Sequence, residues 1–274
     1  SNAIYLTDHI QIYEKLSVDA GIRFSQFAMN AEFDQRFIQL PFQKINLNKA
    51  ALNGSLGVLY RPIDSWVLSA RLSTGFRAPN VDDVGKIFNS EDFAVVVPND
   101  KLTAEYAYNA ELSTSKTFGS VWELDITGFY TYLNNALVRR NSSLNGNDSL
   151  FFDGGLKRIQ TVQNAAFVEV FGLQMGLEVL ITKRIKFESK LNIQRGTEEL
   201  DDGSASPSRH VAPLFTHARL SYKIEKLQVQ ASFIYNHQVD YEELNVGEQE
   251  KPYLYAADKN GLPYSPAWYT FNVN

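Results

Sequence analysis

From Ser65 to Asn80 the chain reads SWVLSARLSTGFRAPN. Trp66, Leu68, Ala70 and Leu72, then Thr74 and Phe76, occupy every second position, with Ser65, Ser69, Arg71, Ser73, Gly75 and Arg77 between them. A period of two puts successive side chains on opposite faces of a strand, one apolar and one polar. The same alternation recurs along the chain. Leu16, Val18, Ala20, Ile22 and Phe24 alternate with Ser17, Asp19, Gly21, Arg23 and Ser25; Trp122, Leu124 and Ile126 with Glu123, Asp125 and Thr127; Leu227, Val229, Ala231 and Phe233 with Gln228, Gln230 and Ser232. Helical spacing is almost absent. Counting 4–13 and 266–274, the pattern predicts about eleven strands.

The connections alternate strictly between short and long. Short ones fall near Glu14-Lys15, Pro62-Ile63-Asp64, Phe118-Gly119-Ser120, Thr182-Lys183-Arg184 and Glu225-Lys226; long ones are expected over 31–50, 77–103, 135–160, 197–208 and 239–265. This predicts an all-β, antiparallel up-and-down meander with its tight turns at one end and its long loops at the other. Loops beyond about 12–15 residues are uncommon in compact domains unless they are functional. Transmembrane β-barrels show this asymmetry, with short periplasmic turns and longer extracellular loops. Ser65 to Arg77 extends about 43 Å at ~3.3 Å per residue. Tilted near 40°, it spans roughly 33 Å, enough for a ~30 Å hydrocarbon core.

Aromatic residues gather near strand ends on the apolar face. Trp66 and Trp122 follow short turns and Tyr222 precedes one; Tyr130, Tyr132, Phe233 and Tyr235 lie toward the long loops. Two such belts match two lipid–water interfaces. The polar face holds Arg71, Glu123, Asp125, Glu188, Lys190 and Arg219 in mid-strand. Periodicity alone does not decide whether that face meets bulk water, as in a sandwich, or a hydrated or plugged lumen. Turn asymmetry and strand length favour the barrel.

Composition narrows the classes further. The 274 residues are 44% hydrophobic and 13% aromatic, sufficient for a sizeable core, with net charge -5 and no cysteine. A basic stripe of the kind nucleic acid needs is missing, and thiolate metal sites and disulfides are excluded. No window approaches ~18 consecutive apolar residues, so no transmembrane helix is predicted; this leaves membrane-crossing strands open. Ser1-Asn2-Ala3 reads as a tag-cleavage scar, leaving 4–274 as one unit that stops inside an alternating run.

Gly75-Phe76-Arg77-Ala78-Pro79-Asn80, followed by Val81-Asp82-Asp83-Val84, resembles the GFRAPN(x)DD(L) segment of TonB-dependent outer-membrane receptors. Val97-Pro98-Asn99-Asp100-Lys101-Leu102-Thr103-Ala104-Glu105 through Leu112 resembles their NPDLKPExxxNxELG segment. Thr103-Ala104 replaces the family's Lys-Pro, keeping Glu105 and losing the rigid proline. The resemblance covers essentially the whole chain. It implies roughly half of a 22-stranded transmembrane barrel, without the plug domain and its contact to the TonB complex, in the bacterial outer membrane. It further implies a parent protein that imports a scarce, bulky solute: a ferric siderophore, cobalamin or an oligosaccharide. Outer-membrane lipid, the plug, through it the TonB complex, and a small-molecule or glycan ligand are the implied partners. Two other readings stay open: a soluble β-protein binding a sugar or peptide, and a small outer-membrane barrel enzyme.

Candidate chemistry is sparse. Arg77, with Arg139 and Arg140, offers bidentate donors to an anionic ligand. Asp82 and Asp83 are candidates for ligand contact or for ordering the loop through backbone amides. His9, His210, His217 and His237 lack zinc spacing. Two acidic groups, Asp240, Glu242 and Glu243, and Glu198, Glu199, Asp201 and Asp202, read as solvated loop residues or as cation-capturing ones. Ser73, His217 and Asp125 make no argued triad, and both GxGxxG and GxxxxGK[ST] are absent. No cofactor, metal or catalytic residue is expected. A cut barrel exposes two strand edges and an apolar face, so self-association through the edges, or inward curling, is expected of the chain alone.

Overall fold

The computed structural model describes the chain except residues 35, 37–41, 86, 92, 201, 210, 212 and 213; His210 and Asp201 therefore lie outside the described residues. In chain order the elements are β1 (Asn2–Tyr13), β2 (Leu16–Glu32), β3 (Lys44–Ile63), β4 (Trp66–Arg77), α1 (Val81–Gly85), β5 (Phe88–Glu91), β6 (Ala94–Val97), β7 (Glu105–Phe118) and β8 (Trp122–Asn141). They continue with β9 (Ser149–Phe152), β10 (Gly155–Thr182), β11 (Ile185–Glu199), β12 (Ala205–Pro207), β13 (Leu214–Ile224), β14 (Leu227–Asn236), α2 (Val246–Gln249), β15 (Ala256–Ala257), β16 (Pro263–Tyr264) and β17 (Trp268–Val273). Short 3-10 turns cover Tyr241–Glu243 and Pro252–Leu254.

Eleven strands form one antiparallel path, β1-β2-β3-β4-β7-β8-β10-β11-β13-β14-β17. The five tight connections fall where the alternation places them, between β1 and β2, β3 and β4, β7 and β8, β10 and β11, and β13 and β14. Gly119 (φ 60°) and Glu225 (φ 45°) supply the left-handed residues of two of these turns. Asn2 and Ala3, read above as a scar, pair with Gln26 and Ser25 in β1.

Register aligns the apolar positions across the sheet. Ile10, Val18, Val58, Ala70, Leu112, Gly128, Leu173, Ile193 and Leu214 form one cross-strand row. Leu16, Tyr60, Leu68, Thr114, Ile126, Met175, Leu191, Thr216, Tyr235 and Tyr269 form the next. The opposite face carries Ser69–Ser113–Thr127–Gln174–Asn192 and Glu123–Glu178–Glu188–Arg219 in line. Lys186 bridges Glu178 at 2.9 Å and Glu188 at 3.2 Å. One predominantly apolar face therefore extends over the whole path, interrupted by Asp8 and Lys116, with a predominantly polar face behind it.

The polarity inverts toward the long-loop end. Beyond the Phe24–Leu52 pair, the face that was apolar carries Gln26, Asn30, Asn46 and Asn48, closed by the Lys44–Glu32 ion pair at 3.3 Å. The other face turns apolar there. Ile45 and Leu47 are buried with Val84 and Leu102, and Phe27, Met29, Phe33, Leu137 and Val162 pack against them. Each large side chain buried this way contributes about 1.5–3 kcal/mol.

Three features depart from the expected layout. The strands run past the predicted limits: β2 reaches Glu32, β3 starts at Lys44, and β8, β9 and β10 together occupy most of 135–160. Segment 77–103 is not irregular but holds α1, β5 and β6. All four residues of β6 are buried, and it pairs in parallel with Arg158–Thr161 of β10, so the segment crosses from β4 past β7 and β8 to the far side of β10. Finally, the apolar face does not curl inward. Leu52 and Leu72 are each 58% exposed and Leu112 69%, because register fixes them to the side away from the loop core. Among the described residues, β1 pairs only with β2 and β17 only with β14, leaving two open edges.

Cross-strand fit is tight at Gly172, which faces Phe129 and Gln194. A Cβ there would lie 2.6 Å from the Ile193 carbonyl and 2.8 Å from the Phe129 ring. Gly172→Ala is expected to destabilise the sheet by about 1–3 kcal/mol through overpacking, read as a lowered denaturation midpoint.

Candidate functional site

The long-loop end is assembled from two hydrogen-bonded clusters. The first joins β4 to β7. Arg77, the last residue of β4, is the register partner of Glu105, the first of β7. Its Nε donates to Glu105 Oε1, and its Nη1 donates to Asp83 Oδ2 at 2.8 Å. Asp83 also accepts from the Asn80 amide at 2.9 Å, while its own amide donates to Asn80 Oδ1 at 3.0 Å. This reciprocal pair fixes the start of α1 as a capping box does, and it directs the fully buried Val84 into the loop core. Glu105, 8% exposed, accepts the Leu137 amide with its other oxygen at 2.9 Å. A buried carboxylate is tolerable because it has both a cation and an amide as partners.

Two adjacent sequence features acquire a physical role here. Phe76 meets Tyr106 across the strands, ring centroids 6.3 Å apart. Where Thr103-Ala104 stands in place of Lys-Pro, Asn164 holds the backbone: its side chain accepts from the Thr103 amide at 2.7 Å and donates to the Thr103 carbonyl at 2.9 Å.

The structure thus gathers Arg77, Asn80, Asp83 and Glu105 into one cluster, with Asp82 exposed beside it. Arg139 and Arg140 belong to neighbouring contacts. The Arg139 guanidinium lies 4.8 Å over the Phe88 ring, and Arg140 Nη2 donates to the Leu200 carbonyl at 3.0 Å.

The second cluster joins the end of β11 and the loop after it to the loop after β14; its centre, Asn245, has only the capping-box pattern with Glu248 to mark it in the sequence. Asn245 is fully buried. Its amide nitrogen donates to Glu198 Oε1 (2.8 Å), the Pro207 carbonyl (2.8 Å) and Ser206 Oγ (3.2 Å). Its oxygen accepts from Arg209 Nε (3.0 Å) and from the Gly247 amide (2.9 Å) at the start of α2. Tyr255 and the Asn245 amide both donate to Glu248, and the phenol is held above its ordinary pKa by burial and by that carboxylate. Asn245→Ala removes partners from several buried groups at once. It is expected to cost about 2–3 kcal/mol locally, seen as faster amide exchange in both loops together. Between them lies a cavity of about 560 Å³ whose lining includes Phe171, Arg195, Ser208, Glu242 and Glu243.

Two further loop carboxylates are engaged locally. Asp202 accepts from the Ser204 hydroxyl (2.6 Å) and amide (2.9 Å), which hold it below the usual carboxylate range. Asp258 is likewise lowered, first by the Leu262 amide at 2.8 Å and then by Asn260. Its support for the β15–β16 hairpin is present above the ordinary value of 3.8 and is lost as pH falls through the lowered folded value. Amide exchange at Leu262 should accelerate only in that acid range. No group of three or more His, Asp or Glu side chains is arranged to hold a metal among the described residues.

The aromatic residues take up the following places. Trp66 Nε1 donates to Thr114 Oγ1 at 2.9 Å, and Trp122 stacks on Phe118 with centroids 4.0 Å apart, both at the short-turn end. Tyr222, near the same end, pairs with Ile185 and Val229. Toward the loops, Tyr130 donates to Glu169 at 3.0 Å, Tyr132 stacks on Phe167, Phe233 meets Tyr269, and Tyr235 bonds His237 Nδ1 at 3.0 Å.

Comparison with known proteins follows the same lines. A family model described as TonB dependent receptor-like, beta-barrel, matches residues 1–274. A haemoglobin-haptoglobin utilization protein B of Neisseria meningitidis serogroup C is 29% identical over 128 residues, 45% of this chain and 16% of that protein. Among solved structures, the FrpB iron transporter of Neisseria meningitidis (F3-3 variant) superposes with TM-score 0.67 at 15% identity, over 99% of this chain and 37% of that one. The siderophore receptor PirA of Acinetobacter baumannii gives 0.69 at 14% identity, over 99% and 38%. At such identities the structures establish a shared fold, and the chain spans well under two thirds of each of these proteins.

Proposed function

The chain belongs to the TonB-dependent receptor β-barrel family, and from that premise we propose that it forms part of the wall and the extracellular loops of an outer-membrane active-transport receptor. The receptor takes up a scarce, bulky solute with energy transmitted by the TonB complex. The observation that carries this reading is the single, predominantly apolar face that extends over eleven strands and inverts at the loop end of β2 and β3. Hydrocarbon contacts the face bearing Leu52, Leu72 and Leu112; the face bearing Arg71, Glu111 and Lys190 lines the interior. Relatives named as an iron transporter, a siderophore receptor and a haemoglobin-haptoglobin utilization protein favour an iron-bearing cargo. They are transporters and receptors, which supports a non-enzymatic role.

In this proposal the Arg77–Asp83–Glu105 cluster orders the mouth, while Arg139, Asp82 and the cavity beside Arg195 and Glu242 offer polar contacts to cargo. Growth of a deletion strain on single iron, vitamin and glycan sources tests it: selective failure on one class identifies the cargo, and unimpaired growth on all of them counts against import. Light scattering of the isolated chain tests edge pairing through β1 and β17, since a detergent-free monomer contradicts it.

A further inference from the structure

We infer that Lys116 binds the phosphate of a glycerophospholipid in the leaflet at the short-turn end of the sheet. The inference rests on the reading that the apolar face meets lipid. Lys116 stands on that face, in the row Trp66–Lys116–Leu124–Leu177. Apolar residues Leu68 and Ile126 flank Thr114 in the row above; Phe118 and Trp122 form the pair below. A lysine facing hydrocarbon costs about 2–4 kcal/mol at the bilayer midplane and about 0–1 kcal/mol near the interface. Position resolves the conflict: Lys116 is two residues from the end of β7, and it is half-buried beside the Trp66 and Phe118 rings.

The ammonium is placed to receive an anion. Its Nζ lies 4.8 Å from the Trp66 ring centre and 5.1 Å from that of Phe118. Ring faces attract the charge but accept no conventional hydrogen bond, so its three N–H donors are not consumed by them. Among the described residues no carboxylate forms an ion pair with it. Trp66 is itself anchored, because its indole N–H is committed to Thr114 Oγ1 at 2.9 Å. Thr114 and Lys116 are alternate residues of one strand, so the indole and the ammonium are held side by side. A phosphate oxygen at headgroup depth completes the set, while the acyl chains run along Leu68, Leu124 and Ile126. The short-turn end faces the periplasm in this family of folds, which selects glycerophospholipid over the phosphates of lipid A on the opposite side.

The test uses the full receptor carrying this segment, purified in neutral detergent. It is incubated in turn with short-chain phosphatidylglycerol, with the matching diacylglycerol, and with lipid A, and retained lipid is counted by native mass spectrometry. Lys116→Gln is expected to retain about fivefold less phosphatidylglycerol, the factor one lysine near an anionic surface contributes. Lys116→Arg should retain it, and diacylglycerol retention should not respond to either change. Lys116→Met keeps the stem over the rings and serves as the second neutral variant, should Lys116→Gln fold poorly. Equal phosphatidylglycerol retention by parent and neutral variants overturns the inference, as does a loss confined to lipid A. Failure of the membrane reading looks different: parent and variants alike would hold neither detergent nor lipid.

Discussion

Glu105→Ala is expected to release the whole crossing segment 78–104 from the mouth of the sheet. The carboxylate holds Arg77 through one oxygen and the Leu137 amide through the other. Removing one partner of a buried ion pair costs about 3–5 kcal/mol when a charge is left uncompensated. Arg77 is 46% exposed on its side chain, so water takes back part of its charge. The Leu137 N–H has no such refuge and costs about 1–3 kcal/mol unpaired. The net local loss is therefore about 2–4 kcal/mol. It should appear as new protease cleavage within 78–104 and faster exchange at the buried Val84 and Leu102 amides. Glu105→Gln keeps an acceptor for the amide and should lose roughly half as much. An alanine variant as protected as the parent would show that the loop is held by its apolar contacts alone.

Leu112→Arg on the apolar face should be strongly damaging, whereas Ser69→Arg, in the adjacent row on the polar face, should be mild. Leu112 sits in mid-strand between Ala70 and Gly128 with no interface within reach. Arginine there costs about 2–4 kcal/mol in a bilayer. At Ser69 the same side chain enters a row of Ser113, Thr127 and Gln174 and meets polar partners, costing within about 1 kcal/mol. Denaturation of the full receptor in phospholipid vesicles distinguishes the two. A reversed order would mean that the leucine rows are sealed inside protein and the serine row faces lipid.

Much of the fold was legible because alternation is a local signal. Each tight turn lay between two runs whose parity could be read directly, and the eleven-strand path follows. The strand ends were not legible, for a specific reason: parity is conserved through β2 and β3, but the meaning of parity reverses. Phe27 and Met29 occupy the face that Ser17 and Asp19 hold lower down. A reader tracking one apolar face sees the pattern dissolve there and assigns a loop. The run Ala94-Val95-Val96-Val97 has no alternation at all, as befits a strand buried on both sides. One partner is the adjacent β5, but the other lies in β10, more than sixty residues onward. Of the loop cluster, the motif residues Arg77, Asp83 and Glu105 were recognisable from their sequence context, but their convergence depends on register. Asn245, with Glu248 three residues on, carried only the local signal of a helix start; its other partners, Glu198, Ser206, Pro207 and Arg209, come from the segment that ends β11 and follows it.

The crossing taken by β6 has a bearing on how the wall is built. Hairpins such as β3–β4 and β7–β8 bring neighbours in sequence together and can zip in the order of synthesis. Ala94–Val97 pairs locally with β5 along one edge, but its other edge has no partner until Arg158–Thr161 has been laid down and positioned. Contacts of such separation form late, so this valine-rich tetrad passes through assembly with one open, adhesive edge. Any factor that shepherds the nascent chain has to shield it until β10 arrives.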